Sequence, residues 1–203
     1  MSTALRVATY RDLEALPAHV TGELIEGALY AHPRPALPHA TAGMGLGSDL
    51  WSSYGRKRKP TGPGGWIILY EPELHLGLLR GQPRAKDTVV VPDLAGWRRD
   101  RVPRLPKAAA VTTRPDWVCE ILSTGRRAHD RVLKLHVYAS SGIPWYWLVD
   151  PLERTVEVLR LDPETALYTT VHTHAGGGPI QAPPFDAVAF DTEEWWMDDE
   201  DAD

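Results

Sequence analysis

At 203 residues and 22.5 kDa, with 43% apolar and 24% charged residues, the chain has the length and make-up of one soluble globular domain. It holds no apolar run near the roughly 20 residues of a membrane span, and a single cysteine excludes an internal disulfide, which fits a reducing, cytoplasmic setting. Of its net charge of −5, seven acids sit unopposed in residues 193–203, so residues 1–192 carry +2 and form the expected single domain, ahead of an acidic tail expected to be mobile.

In chain order, Thr9 and Asp12 have the spacing of a reciprocal helix cap, predicting a short helix over 10–16 that ends at Pro17. GELIEGALYAH, residues 22–32, reads as two extended pieces turned at Gly27. A helix is expected from His39 to about Arg58, carrying Met44, Leu50, Trp51 and Tyr54 on a loose stripe. Its Gly43, Gly45 and Gly47 have neither the spacing nor the lysine of a phosphate loop, and are read as allowing close packing.

WIILYEPELHL, residues 66–76, is a strand interrupted at Pro72, and Thr88 to Val91 a buried strand that delivers Asp93. Between them residues 77–86 read as a loop, and the proline- and arginine-rich residues 95–115 as a long surface excursion. Residues 116–122 alternate as a strand, with Asp116, Val118, Glu120 and Leu122 on one face and Trp117, Cys119 and Ile121 on the other. A helix from about 129 to 140 stops at Gly142, and WYWLVD (145–150), TVEVLRL (155–161) and TTVHTH (169–174) read as successive antiparallel strands.

Two carboxylates interrupt otherwise apolar strands 27 residues apart: Asp93 after three valines, and Glu120 within WVCEIL. Burying either is costly without a cation or hydrogen bonds, and oxygen ligands on neighbouring strands suit a divalent metal that keeps its waters. The bland account has each acid capping a loop or pairing with Arg126, Arg127 or Arg131. Lys134, one turn into the following helix, either aims back at Glu120 or pairs along the helix surface with Asp130. His172 and His174 share a strand face, with no evident third zinc ligand. Basic clusters at Arg56–Lys59, Arg98–Arg101 and Arg126–Arg131 permit nucleic-acid contact without demanding it.

The ordered set GELIEG, VVPD, WVCEILS, Asp130, Lys134, Tyr138 and G-I-P-W-YWLVDP resembles the Uma-two family of restriction endonucleases, within the PD-(D/E)XK nuclease superfamily, over about residues 9–161. The resemblance implies an α/β fold of the α+β kind: a restriction-endonuclease-like mixed β-sheet flanked by helices, with an N-terminal hairpin. It carries the first acid to Asp93, the second to Glu120, and the catalytic lysine to Lys134, since Leu122 stands where ExK would place it. The family's N-terminal acid falls on Glu23, with Glu26 a competitor. Ser123-Thr124-Gly125 departs from the family's Ser-Pro-Ser.

The resulting expectation is a Mg²⁺- (or Mn²⁺-) dependent endonuclease acting on DNA phosphodiesters. Asp93 and Glu120 would hold metal, Lys134 and Glu23 would complete the catalytic set, and Arg126, Arg127 and Arg131 would grip DNA. The alternative is a nuclease fold that no longer cuts and serves DNA binding or protein interaction. A homodimer is expected from the aromatic surface of WYWLVD and from the superfamily's habit.

Overall fold

The structure is a computed structural model that describes residues 7–32, 36–58, 61–77, 88–123 and 129–198. Helix α1 (Tyr10–Glu14) starts where the cap predicts: Thr9 donates from both its backbone N–H and its Oγ1 to Asp12 Oδ2, at 2.8 and 2.9 Å. β1 (Thr21–Ile25) and β2 (Ala28–His32) form the hairpin, turned by Glu26 and Gly27 at φ of 52° and 78°. Two left-handed residues in a two-residue loop match the twist of the strands they join.

Helix α2 (Leu37–Leu50) runs straight into a π-helical turn, Trp51–Gly55. The strand broken by proline becomes β3 (Trp66–Tyr70) and β4 (Glu73–His75). There follow β5 (Val89–Val90), β6 (Leu94–Arg98), β7 (Ala110–Val111) and β8 (Trp117–Ile121). A second π-helical turn, His129–Lys134, leads into α3 (Leu135–Ser140), which ends before Gly142 at φ 70°. β9 (Trp145–Asp150), β10 (Thr155–Leu161) and β11 (Tyr168–Ala175) form the antiparallel run expected of them. The described chain closes with β12 (Pro179–Ile180), β13 (Phe190–Asp191) and a 3-10 turn, Thr192–Trp195.

The central sheet has the order β11-β10-β9-β8-β6-β3, and a second sheet the order β2-β1-β5-β4-β7. β8 and β9 are parallel neighbours, so α3 is the crossover between them and is forced back across the sheet. Each face of the central sheet has its own apolar core. On one, Trp117, Cys119, Ile121 and Trp147 pack with Ala42, Leu46 and Leu50 of α2 and with Phe185 and Trp195 near the C-terminus. On the other, Val118, Leu122 and Tyr146 pack with Val137 and Tyr138 of α3 and with Ile25, Leu74 and Val90 of the second sheet. The mixed α+β architecture expected above is what the chain adopts.

Three expectations change. Residues 95–115 are no simple surface excursion: they supply β6, whose Trp97 is fully buried and donates its indole N–H to the Thr113 carbonyl at 2.8 Å. The arginines there misled because they are paired locally, Arg98 with Asp100 at 2.9 Å and Arg101 with Asp116 at 2.8 Å. The acidic tail does not begin at 193, because Trp195 and Trp196 sink into the α2-side core. Tyr146, Trp147 and Leu148 of β9 are buried inside the subunit, which removes the aromatic surface argued for self-association.

Of the α2 glycines, Gly45 is the one that close packing requires. A Cβ on Gly45 would stand 2.7 Å from the Glu194 carbonyl and 2.9 Å from the Trp195 ring, whereas on Gly47 it would meet only Leu94, at 3.5 Å. Gly45→Ala is therefore expected to destabilise the fold by about 1–3 kcal/mol through overpacking. Gly47→Ala is expected to gain up to about 1 kcal/mol of helix propensity. Urea midpoints of the two variants should shift in opposite directions.

Candidate active site

β8 carries the site because it is buried on both faces. Alternation sends Trp117, Cys119 and Ile121 toward α2, and Val118 and Leu122 toward α3 and the second sheet, with Glu120 between the latter two. Glu120 thus enters an apolar layer, its side chain only 3% exposed, and must find partners there. Lys134 Nζ donates to its Oε2 at 2.8 Å, and the Tyr138 hydroxyl donates to its Oε1. Lys134 and Tyr138 lie four apart across the start of α3, the spacing that stacks two side chains on one helix face.

The same ammonium reaches the second sheet. Lys134 Nζ lies 2.9 Å from Glu23 Oε1 on β1, with both side chains 1% exposed, and 3.5 Å from the Val91 carbonyl. The Val91 N–H donates to Glu23 Oε1 at 2.8 Å. Glu23 therefore belongs to the cluster, whereas Glu26 sits exposed in the hairpin turn. Sequence reasoning left that choice open and did not assign Tyr138 a role; its i+4 spacing from Lys134 was the available signal.

Asp93 stands where the chain leaves the second sheet at Val91, passes Pro92 and enters β6. The register Leu94↔Cys119 places it across from Glu120. Its Oδ2 accepts the Ile121 N–H at 2.6 Å and its Oδ1 lies 3.0 Å from Nε2 of His39, a buried histidine on α2. Glu23, Glu120 and Lys134 thus meet directly, while Asp93, at the head of the neighbouring strand β6, is held by His39 of the α2 layer and by the backbone of β8. His39 Nδ1 is buried without a hydrogen-bond partner among the described residues.

The local field favours protonated donors around these carboxylates. Burial, and then the charges of Glu120 and Glu23, hold the Tyr138 phenol far above its ordinary range, so it remains a donor to Glu120. Burial, reinforced by Asp93 and Glu120, likewise raises the Cys119 thiol and makes it a core residue rather than a nucleophile. Among the described residues no three His, Cys, Asp or Glu side chains form a ready cation cage. The donor set is nonetheless all oxygen and, with one lysine among three acids, leaves negative charge to be met. That chemistry fits a hard divalent cation keeping most of its water.

Of the arginines expected at DNA, Arg126 and Arg127 lie outside the described residues, as does the Thr124-Gly125 departure. Arg131 is half-exposed and paired with Glu157 of β10 at 2.5 Å. His174 meets the Thr192 hydroxyl at 3.0 Å, an ordinary polar contact for the strand position weighed above as zinc-binding. No helix among the described residues is long and apolar enough to cross a membrane.

The fold built on this six-stranded mixed sheet is shared with a solved protein. The crystal structure of a "putative nuclease" from Anabaena variabilis superposes with a TM-score of 0.69 at 22% identity, covering 93% of this chain and 97% of that one. The likeness establishes a common fold. The chain belongs to the Uma2 family, described as "Putative restriction endonuclease", which matches residues 7–193. No curated protein matches it.

Removing the central cation leaves two buried carboxylates facing each other. Lys134→Met is expected to cost about 3–5 kcal/mol in denaturant unfolding. Adding Glu23→Gln should recover part of that loss, so the double variant is expected to fall short of additivity. Tyr70 gives a pH-dependent counterpart. Burial, then Glu71 and Asp93, push its phenol up to about 12. A raised folded-state value means that its contribution is full below the unfolded value near 10 and is lost as pH rises toward 12. Ultraviolet titration should show this late phenolate, and Tyr70→Phe should flatten the alkaline loss of stability.

Proposed function

We propose that this protein is a Mg²⁺- or Mn²⁺-dependent endonuclease that hydrolyses DNA phosphodiester bonds, with Asp93, Glu120, Lys134 and Glu23 as its catalytic set. The observation that carries the reading is the meeting of Glu23 and Glu120 on one buried ammonium, one strand position from Asp93. Buried ion clusters are poor stabilisers beside apolar packing of equal volume. A cluster of this composition where two sheets meet is more economically read as chemistry than as scaffolding. Membership of the Uma2 family supports the same reading.

In this reading Asp93 and Glu120 hold the metal. Such an ion, when bound, would supply Lewis acidity to the scissile phosphate and to the attacking water. His39 and the Ile121 N–H hold the Asp93 carboxylate in place. Tyr138 holds one oxygen of Glu120, and Glu23 keeps the ammonium of Lys134 beside the strand end. Lys134 donates to the attacking water, setting it in line with the phosphorus, and offsets charge growing on the phosphate. Arg126, Arg127 and Arg131 grip the DNA backbone, Arg131 by leaving Glu157 for a phosphate. All four core side chains are present, so a non-cutting module is not the favoured reading. The homodimer, now resting on the superfamily resemblance alone, is read out by sedimentation.

Supercoiled plasmid incubated with Mg²⁺ or Mn²⁺ should be nicked or linearised by the wild type. Asp93→Ala, Glu120→Ala and Lys134→Ala are each expected to lower the rate at least 100-fold, with folding checked by circular dichroism. Cleavage that persists in all three variants would remove the mechanism.

A further inference from the structure

The α2 layer holds a concavity that the chemistry above leaves unused. A pocket of about 430 Å³ lies between α2 and β3, floored by Gly43, Gly47 and Leu94 and walled by Met44, Trp51 and Tyr70. The three wall residues are large and exposed, at 75%, 51% and 50%. Three such side chains gathered round one hollow mark a binding surface more often than scattered exposure does. Glycine at 43 and 47 strips this flank of the helix of side chains and gives the hollow its depth.

Its two ends are chemically distinct. At one end, the lining residues Ala40 and Leu94 directly follow His39 and Asp93, which are in contact at 3.0 Å. At the other, Arg56, Lys57 and Arg58 are exposed, with the Arg56 guanidinium 5.3 Å from the centroid of the Trp51 ring. The twelve residue steps from His39 to Trp51 span about 18 Å at about 1.5 Å per helical residue. An aromatic trough therefore joins the acidic end of the central strands to a run of cations.

We propose that this trough binds single-stranded DNA, one base stacking between Trp51 and Tyr70 against Met44 while Arg56, Lys57 and Arg58 take the adjoining phosphates. The inference rests on the nuclease reading and specifies its substrate: a strand that is unpaired where it leaves the site. A paired duplex keeps its base faces stacked and has none to offer an aromatic wall, whereas a single strand offers one at every nucleotide. On this flank the cations stand at the Trp51 end, while the charges of Glu71 and Asp93 act at the Tyr70 hydroxyl, so the phosphates belong at the Arg56 end. Asp49 and Glu194 lie across the Met44 ridge, in a separate depression, and the Asp49 carboxylate takes the Trp195 indole N–H at 2.8 Å. The strand is thereby confined to the Trp51 side.

The test measures binding in EDTA, so that it is independent of cleavage. Fluorescence anisotropy compares a labelled twelve-nucleotide oligothymidylate, an abasic strand of equal phosphate count, and a duplex of the same length. The wild type should bind the oligothymidylate about tenfold or more tightly than either competitor, the effect of at least one base–aromatic stack. Trp51→Ala and Tyr70→Ala should each erase that preference, Trp51→Phe and Tyr70→Phe should restore it, and Arg56→Ala should weaken both single strands alike. Equal affinity for the abasic strand, or a preference that survives both alanine variants, overturns the proposal. So does a change in sedimentation mass with either alanine variant, which would make the trough a contact between copies of this chain. Plasmid cleavage by the same wild-type preparation reports separately on the nuclease reading, so failure of either idea leaves the other standing or falling on its own result.

Discussion

The ammonium of Lys134, held 2.9 Å from Glu23 and 2.8 Å from Glu120, is the contact on which the arrangement turns. Its three participants come from β1, β8 and the crossover into α3, elements whose remaining contacts are largely apolar apart from the Tyr138–Glu120 hydrogen bond. Apolar packing is non-directional and tolerates small slips. A buried ion pair does not, because a displaced carboxylate loses both its partner and any access to water. The cluster therefore registers the second sheet and α3 against the central sheet, and in doing so brings two carboxylates and an ammonium together at one end of β8.

How much of this was legible in the sequence follows from which patterns are local. The alternation in residues 116–122 assigned every face of β8 correctly, because a strand buried on both sides displays its period in the identity of each residue. The Thr9–Asp12 cap, the Glu26–Gly27 turn and the break at Pro72 were visible for the same reason: each is fixed by two or three neighbouring residues. Asp93 and Glu120 stood out as costly acids in apolar runs. Lys134 was visible as a candidate one turn into its helix, with Glu120 and Asp130 as alternative partners, and the family resemblance decided between them. Glu23 did not stand out, because its partner Lys134 is 111 residues away and only the resemblance singled it out.

What stayed hidden depended on pairings between distant segments. Leu94–Arg98 reads as irregular because Gly96 within it and the arginines at 98 and 99 dilute its apolar character. Yet Gly96 is there because a Cβ would stand 3.1 Å from Trp117 and 3.2 Å from Trp66, so glycine lets those rings close over the strand. Trp195 and Trp196 were lost in an acidic composition, since charge counts cannot register that two indoles outweigh the neighbouring carboxylates once a groove on α2 accepts them. For His39 the sequence offered the cleft that holds Glu23 or an ordinary surface place, the latter favoured, because a lone histidine on a helix carries no periodicity; it is buried beside Asp93.

α2 connects these strands of the argument. Its inward face packs Leu46 and Leu50 into the core, Gly45 admits the C-terminal turn, and His39 braces Asp93. Asp93 is thus held from the α2 layer and Glu120 from the α3 layer, although the two acids are opposite neighbours in the central sheet. The interior on either side of them is filled by tryptophan, tyrosine and aliphatic groups. The α2 flank that runs on from His39 is bare of side chains at Gly43 and Gly47. The glycines that look uniform in the sequence accordingly divide their work, one admitting the protein's own C-terminus and two leaving a trough beside the acids.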